Sequence, residues 1–406
     1  MSRKQKHLVA LDAGSSKTCV LVAEVEESGR LKFRGMGSAE SKGWKKGAII
    51  NLDAAVGSIR KAMEDAEKES GLPIERAVVG LGAAQVKGLN SRGGINISSR
   101  HREIQREDMR RAIEEARRVS LLPDRVVLQV VPQEFLLDSL EGIRDPVGMM
   151  GGRLEVNVHV ITAAATAQTN LVTAANRAGL EVEETVHEAM AAAEAAVGTD
   201  ERELGVVVAD IGAGSTDVVV YHQGYLQHST SLPVAGDHFT NDIAVGLRTA
   251  IPEAEKIKRS FGVAMAELAG ESVFIEVPRV GDWPSRLVPQ QLLAQILQPR
   301  AQELLELISE EVRHAGLEHQ VGAGIVFTGG GARLAGLCDL AEQTQNMTAR
   351  IGLAPRLQEA PDSLCEPAYT TLLGLLYYAQ RLQQTRHGWE ASLASRLKSL
   401  FTGEKN

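Results

Sequence analysis

Two glycine turns of one design constrain this chain more than any other feature. One lies in VVVADIGAGSTDVVV, residues 206–220, where a β-branched run ends at Asp210 and a second run follows the turn. The other lies in LVALDAGSSKTCVLVAEV, residues 8–25, around Asp12. The pattern predicts two β-hairpins whose tips expose backbone, because glycine permits positive φ and leaves room for a ligand. Two matching hairpins indicate two related halves that face a shared ligand.

Length and composition narrow the class of protein. A chain of 406 residues fits two domains of ordinary size, and 44% hydrophobic with 24% charged residues is typical of a soluble globular protein. The net charge of −8 argues against a nucleic-acid partner, which needs a basic surface. Three scattered cysteines are too few for a disulfide framework or a zinc site. No apolar run reaches the length of a spanning helix. From the few cysteines and the lack of a spanning run together, we expect a reducing compartment such as the bacterial cytoplasm.

The first half reads as an α/β domain with a mixed sheet. After the first hairpin we expect a third strand at Leu31–Gly37. Apolar residues at helical spacing predict a helix over Leu52–Ser70 that ends at Gly71. A buried strand is expected at Ala77–Gly82.

A segment of different texture interrupts this half. Strand-like pieces surround a highly charged helix, Arg106–Val119, which predicts an inserted α+β subdomain. A helix closed by Gly179 follows, and then an alanine-rich helix whose small side chains allow close packing between domains. The second half adds a long helix interrupted at Pro299. The predicted divisions are 1–83 (first domain, N-terminal part), 84–163 (insert), 164–203 (first domain continued), 204–223 (second domain core), 224–300 (small subdomain of the second half), 301–384 (second domain continued and closing helix) and 385–406 (linker and terminal helix).

The C-terminal tail predicts an amphipathic helix between Trp389 and Phe401. Basic residues, Arg396 and Lys398, flank its apolar stripe. Such a helix can lie in a membrane interface; the alternative is a helix that docks the stripe on the protein itself. The stripe consists of Trp389, Leu393, Leu397, Leu400 and Phe401.

The residue types at the two turns fit a phosphate ligand. Backbone N–H groups presented from turns hold phosphates, and hydroxyls add donors. Lys17 could reach a phosphate oxygen directly. Asp12 and Asp210 cannot contact phosphate favourably, so we expect them to hold water around Mg²⁺. The chain has no GxxxxGK(S/T) or GxGxxG sequence, which excludes those phosphate loops. The predicted phosphate contacts are Gly14, Ser15, Ser16, Gly212, Gly214, Ser215 and Thr216.

A third glycine turn, formed by Gly329, Gly330 and Gly331, completes the pattern. It carries no hydroxyl or carboxylate on its glycines, which suits an adenosine rather than a phosphate. Glu255 and Lys258 lie three apart on one predicted helix face, where they could hydrogen-bond ribose hydroxyls. The alternative is an ordinary surface ion pair.

These motifs occur in an order that resembles a known superfamily. DAGSSKT, the alanine-rich helix, DIGAGSTD, EKIK and TGGGA follow one another as in the actin/heat-shock-70/sugar-kinase ATPases. Within that superfamily the chain is most similar to the bacterial FtsA family of cell-division proteins, through stretches such as NSRGGINIS, DWPSRLVPQQLLAQILQPR and EPAYTTLLGLLYYA. The resemblance covers nearly the whole chain. It implies an α/β, actin-like two-domain ATPase fold, with duplicated mixed-sheet halves and the inserted α+β subdomain, that closes on ATP and Mg²⁺.

The resemblance also implies partners and a location. It implies a protein that polymerises like actin, binds the C-terminal tail of the tubulin-like FtsZ and recruits other divisome membrane proteins. The terminal helix would bind the lipid surface at the cytoplasmic face of the bacterial inner membrane, at the division septum. The FtsZ-binding surface would lie within residues 224–300, where Arg286 and Arg300 could pair with an acidic peptide. Ordinary exposed arginines are the alternative for both.

Hydrolysis stays open at the level of sequence. Glu188 occupies the position from which the superfamily orients an attacking water, and Asp210 is the second candidate catalytic residue. Ala213 stands in the second turn where stronger ATPases often carry glycine or a polar group. We expect ATP binding with at most slow hydrolysis. The alternatives are a small-molecule kinase of the same superfamily, with Asp237 as candidate base, and a pilus-assembly adaptor of similar fold.

Overall fold

The computed structural model describes residues 7–82, 86–98, 102–281 and 283–384. The predicted amphipathic helix of residues 389–401 lies outside this part of the chain. The strands, in chain order, are β1 (His7–Ala13), β2 (Lys17–Val25), β3 (Leu31–Glu40), β4 (Trp44–Lys45), β5 (Ala48–Ile49), β6 (Arg76–Leu81), β7 (Lys87–Asn96), β8 (Arg125–Leu137), β9 (Leu140–Ile143), β10 (Arg153–Ala164), β11 (Glu181–His187), β12 (Val206–Ile211), β13 (Thr216–His222), β14 (Tyr225–Leu232), β15 (Phe274–Val277), β16 (Arg286–Pro289), β17 (Ile325–Thr328) and β18 (Ala349–Ile351).

The helices accompany both halves of the chain. They are α1 (Leu52–Ser70), α2 (Arg106–Arg117), α3 (Ala165–Ala178), α4 (Glu188–Ala196), α5 (Thr199–Leu204), α6 (Gly236–Leu247), α7 (Ile251–Phe261), α8 (Gln290–His314), α9 (Leu337–Gln345) and α10 (370–384). Helix α1 has the predicted bounds, and it ends at Gly71 because that residue adopts the left-handed conformation (φ 67°) that favours glycine. Helix α3 ends in the same way at Gly179, as predicted.

The first half is built on a five-stranded mixed sheet in the order β11-β6-β1-β2-β3. Strands β1 and β2 form the first predicted hairpin, and β6 lies parallel to β1. Helix α1 packs against β2 and β3, while α3 packs beside it. Gly37 in β3 allows this approach, because a Cβ there would lie 1.8 Å from the carbonyl oxygen of Ala62.

The second half is built on a nine-stranded sheet in the order β18-β17-β12-β13-β14-β7-β10-β8-β9. Strand β12 is buried on both faces, since Val206 and Val208 pack into the core shared with the first half and Val207 and Ala209 into the core of the second. Burial on both faces explains the unbroken VVVA run that precedes Asp210.

The insert joins the second half, although it interrupts the first in sequence. Its strands β7, β10, β8 and β9 continue the nine-stranded sheet through a short contact between β14 and β7, at Thr230 and Lys87. Polar side chains reinforce this contact. His159 Nδ1 lies 2.7 Å from Asn90 Oδ1, and His159 Nε2 lies 2.8 Å from Ser229 Oγ. The insert has its own buried cluster beneath α2, so it is a layer with a separate core.

The alanine-rich helix α4 lies between the two sheets. It packs against β6 and β11 of the first half and against β12, β13 and β17 of the second. Helix α10 also packs closely against α4 through Gly374, where a Cβ would lie only 1.8 Å from the carbonyl oxygen of Ala191. The small side chains of α4 predicted this close packing between domains, and the structure has it.

Helix α8 differs from the prediction. It runs without a break from Gln290 to His314, and Pro299 lies inside it. The proline lacks one backbone donor, but the buried stripe that includes Leu297 and Ala301 holds the helix together on both sides of it. Among the described residues, no helix is both long and apolar enough to pass through a membrane.

Candidate functional site

The two glycine turns form matching hairpins, as the sequence predicts. In the first, Ala13 pairs with Thr18 and the Gly14 amide donates to the Lys17 carbonyl at 3.1 Å. In the second, Ile211 pairs with Thr216 and the Gly212 amide donates to the Ser215 carbonyl at 3.0 Å. Each tip therefore has the same four-residue geometry.

The expectation of a positive φ at the tip glycines is wrong. Gly14, Gly212 and Gly214 all lie outside the positive-φ region. A Cβ on Gly214 would instead lie 2.6 Å from Ser15 Oγ and 2.8 Å from the Lys46 Cα. Gly214 is therefore required because the two halves approach one another closely at this tip.

The third turn packs against the second hairpin. Strand β17 lies parallel to β12, so that Thr328 pairs with Asp210 and the turn begins beside that carboxylate. Gly329 has a φ of 79°, and a Cβ there would lie 2.3 Å from Asp210 Oδ1. Gly331 faces Ile211 at a similar distance, whereas Gly330 faces open space.

The three turns surround a cavity of about 370 Å³, a volume in the range of small-molecule sites. Thr216 lies outside the lining, since its buried hydroxyl donates to the Val234 carbonyl at 2.7 Å; its predicted ligand contact is therefore not supported. Asp237, the candidate base of the kinase alternative, is not among the lining residues. The predicted residues that line the cavity are Asp12, Gly14, Ser15, Ser16, Lys17, Glu188, Asp210, Gly212, Gly214, Ser215, Glu255, Lys258, Gly329, Gly330 and Gly331.

Buried carboxylates dominate the electrostatics of the cavity. Burial raises the pKa of Asp12 to about 6, against the opposing effect of Lys17. Burial also raises the pKa of Asp210, although the Thr371 hydroxyl donates to its Oδ2 at 2.5 Å. The pKa of Glu188 lies well above its usual range, through burial and the neighbouring carboxylates. Ionised, these carboxylates would repel an anionic ligand, and protons or a cation would remove that repulsion.

Asp217 is a carboxylate of this site that the sequence reasoning missed. It faces Asp210 across the second hairpin and accepts a hydrogen bond from Ser231. Burial, together with the Asp210 charge, raises its pKa to about 8. Its place at the end of the GSTD stretch was the available signal. In the described part of the chain, no group of three or more His, Cys, Asp or Glu side chains is placed to hold a metal ion directly.

Two predicted lysines have partners at the cavity wall. Lys17 Nζ donates to the Ala368 carbonyl at 3.0 Å and lies 3.3 Å from the centre of the Tyr369 ring. Lys258 Nζ lies 2.7 Å from Glu255 Oε2 and also donates to the Gly236 carbonyl at 2.8 Å. The predicted ion pair thus exists, and both of its members line the cavity.

The two arginines proposed for a partner differ in their surroundings. Arg300 forms a two-point ion pair with Asp242, at 2.7 Å and 3.1 Å, and a further one with Glu303. Arg286 donates to the Leu247 carbonyl at 3.1 Å and is exposed on β16. Arg286 is therefore the more accessible of the two.

Comparison with known proteins identifies the family. Residues 207–374 match the family Cell division protein FtsA, and residues 83–162 match the SHS2 domain inserted in FTSA. The Cell division protein FtsA of Pseudomonas aeruginosa is 40% identical over 389 residues, which cover 96% of this chain and 92% of that protein. The chain belongs to the FtsA family of cell-division proteins. The relatives from Neisseria meningitidis and Bacillus subtilis are 36% and 37% identical, covering 94% and 92% of this chain and 92% and 83% of their own lengths.

Solved structures confirm the actin-like fold. The structure described as a PilM-PilN type IV pilus biogenesis complex aligns with a TM-score of 0.65 at 16% identity, covering 92% of this chain and 98% of that one. MreB5 of Spiroplasma citri bound to ADP aligns with a TM-score of 0.57 at 15% identity, covering 94% and 99%. At such identities the likeness shows the fold alone, and it agrees with the predicted α/β architecture with its insert.

Proposed function

We propose that this division protein binds ATP with Mg²⁺ between its two halves, assembles into filaments and ties FtsZ to the cytoplasmic face of the inner membrane at the septum. There it would recruit other divisome membrane proteins. The observation that carries the proposal is the cavity between two matching hairpins in a chain of the FtsA family. An MreB protein of the same fold has been solved with ADP.

The cavity offers each part of ATP a different wall. The hairpin amides with Ser15, Ser16 and Ser215 would hold the phosphates, and the Gly329–Gly331 turn would face the adenosine. Glu255 and Lys258 would meet the ribose. Mg²⁺ keeps most of its water shell in proteins, so Asp12 and Asp210 would hold it through water and offset their own charge.

Any hydrolysis would use Glu188, which lines the cavity and would orient an attacking water there. Burial and the neighbouring carboxylates raise its pKa well above its usual range. The second turn carries Ala213 where stronger ATPases often have glycine or a polar group, so we expect slow turnover. The nucleotide would then act mainly as a ligand that selects a conformation or an assembly state.

The FtsZ tail would bind the small subdomain of residues 224–300. Large exposed apolar side chains concentrate there, and such patches mark interaction sites. Phe274 and Leu287 lie on the outer face of the β15–β16 hairpin, beside Arg286. An apolar face with an arginine at its edge suits an acidic peptide with apolar anchors. The exposed set is Val245, Ile251, Phe261, Leu268, Val273, Phe274, Val280, Trp283, Leu287 and Leu292.

The membrane contact would come from the amphipathic stripe of residues 389–401. Because that segment lies outside the described residues, its support is the sequence pattern together with the family.

Vesicle co-sedimentation in the presence of ATP tests the proposal. Full-length protein should sediment with anionic vesicles and form filaments on them, whereas a chain that ends at His387 should stay in the supernatant. Leu397→Glu places a charge in the stripe and should release the protein. Ser399→Glu is the matched control, because it adds the same charge on the predicted polar side. Equal sedimentation of the full-length and shortened chains would exclude the tail as the anchor.

A further inference from the structure

A fourth segment borders the cavity, and the sequence reasoning gave it no role there. It is the segment 366–371, which leads into α10. The Gly329 amide donates to the Pro367 carbonyl at 3.0 Å, and the Thr371 hydroxyl donates to Asp210 Oδ2. The segment is therefore fastened to the third turn and to the second hairpin.

Further hydrogen bonds hold the part of this segment around Tyr369. Pro367 starts a 3-10 turn that ends at Tyr369, and the Tyr369 amide donates to the Glu366 carbonyl at 3.0 Å. The buried Thr370 hydroxyl donates to the Gly352 carbonyl at 3.1 Å. These bonds fix the backbone that carries the Tyr369 ring.

Lys17 of the first hairpin rests on this platform. Its ammonium lies 3.3 Å from the centre of the Tyr369 ring and 3.0 Å from the Ala368 carbonyl oxygen. An ammonium over an aromatic face gains a cation–π attraction, which grows when water is excluded. An ammonium has three N–H donors. The carbonyl and the ring face engage two of them and leave the third for an anion in the cavity.

We propose that Tyr369 is a positioning residue that orients Lys17 toward the phosphates of the nucleotide. The proposal rests on ATP being the ligand of this cavity. A lysine has a long and flexible side chain, and its ordering opposes every contact that it makes. Where a fixed aromatic face already orders the ammonium, the phosphate contact becomes stronger. Tyr369 acts through Lys17, so it needs no contact with the nucleotide itself.

Titration calorimetry of ATP with Mg²⁺ against the full-length chain tests this role. Tyr369→Leu keeps apolar bulk but removes the ring face, so we expect roughly tenfold weaker binding. Tyr369→Phe keeps the face and should bind within about twofold of the unchanged chain. Tyr377→Leu is the matched control, because Tyr377 lies in α10 and outside the cavity lining; its ATP affinity should not change. Circular dichroism checks that each variant folds.

A double-mutant cycle separates positioning from general packing. In a Lys17→Ala background, Tyr369→Leu should have no further effect on ATP affinity. Equal losses in both backgrounds would overturn the proposal, as would Tyr369→Leu binding ATP as tightly as the unchanged chain or more tightly. If the unchanged chain bound no ATP, the proposed function would fail with it. If Lys17→Ala weakened binding and Tyr369→Leu did not, only the role of Tyr369 would be wrong.

Discussion

The contact between helices α4 and α10 sets up the most direct test of the architecture. Gly374 lies in α10, where alanine would normally strengthen a helix by ~1 kcal/mol. Here a Cβ would lie 1.8 Å from the Ala191 carbonyl oxygen, whereas ordinary contact begins at 3.4 Å. The two helices would have to separate by about 1.6 Å, and the obstacle is backbone, which cannot rotate away. Gly374→Ala should therefore destabilise the protein.

Overpacking costs ~1–3 kcal/mol and occasionally more, so we expect a net loss of up to ~2 kcal/mol after the gain of ~1 kcal/mol in helix propensity. Gly57→Ala in α1 is the matched control, because a Cβ there meets no atom within 4 Å; it should stabilise the protein by up to ~1 kcal/mol. Urea unfolding of the two variants measures the difference. If Gly374→Ala were as stable as Gly57→Ala, the close crossing of the two helices would be wrong.

Three further outcomes are expected. Asp217 has its usual pKa of about 3.8 in the unfolded chain and a pKa of about 8 in the folded protein. The stability that its proton supplies is therefore lost as pH rises between these two values. Asp217→Asn should flatten that decline in thermal scans without nucleotide. Glu188→Gln should retain ATP binding and lower turnover in a phosphate-release assay, and unchanged turnover would remove Glu188 from the chemistry. Arg286→Ala should weaken binding of an FtsZ tail peptide at unchanged stability, whereas Arg300→Ala should lower the melting temperature because Asp242 loses its partner.

The sequence was sufficient wherever a local pattern decides the structure. The hairpins at Asp12 and Asp210, helix α1 and the glycine that ends it each depend on a few neighbouring residues, and the structure has them where they were predicted. The cavity followed from these elements, because matched turns in two related halves must converge if they share a ligand.

Features that depend on distant residues could not be predicted. Lys17 meets Ala368 across 351 positions of the chain, and neither residue has a local signal for the other. The insert joins the sheet of the second half through the β14–β7 edge, which only the assembled sheet reveals. Pro299 predicts an interruption by local rules, but tertiary burial of α8 outweighs the lost hydrogen bond.

The central claim is that the two hairpins hold ATP together with Mg²⁺. Titration calorimetry of ATP against the full-length chain, in Mg²⁺ and then in EDTA, tests it most directly. Asp12 and Asp210 repel phosphates unless a cation lies between them. We therefore predict one ATP per chain, bound at least about tenfold more tightly in Mg²⁺, and a smaller dependence on Mg²⁺ in Asp12→Asn. Equal ATP affinity in Mg²⁺ and EDTA, or no saturable binding, would contradict the account.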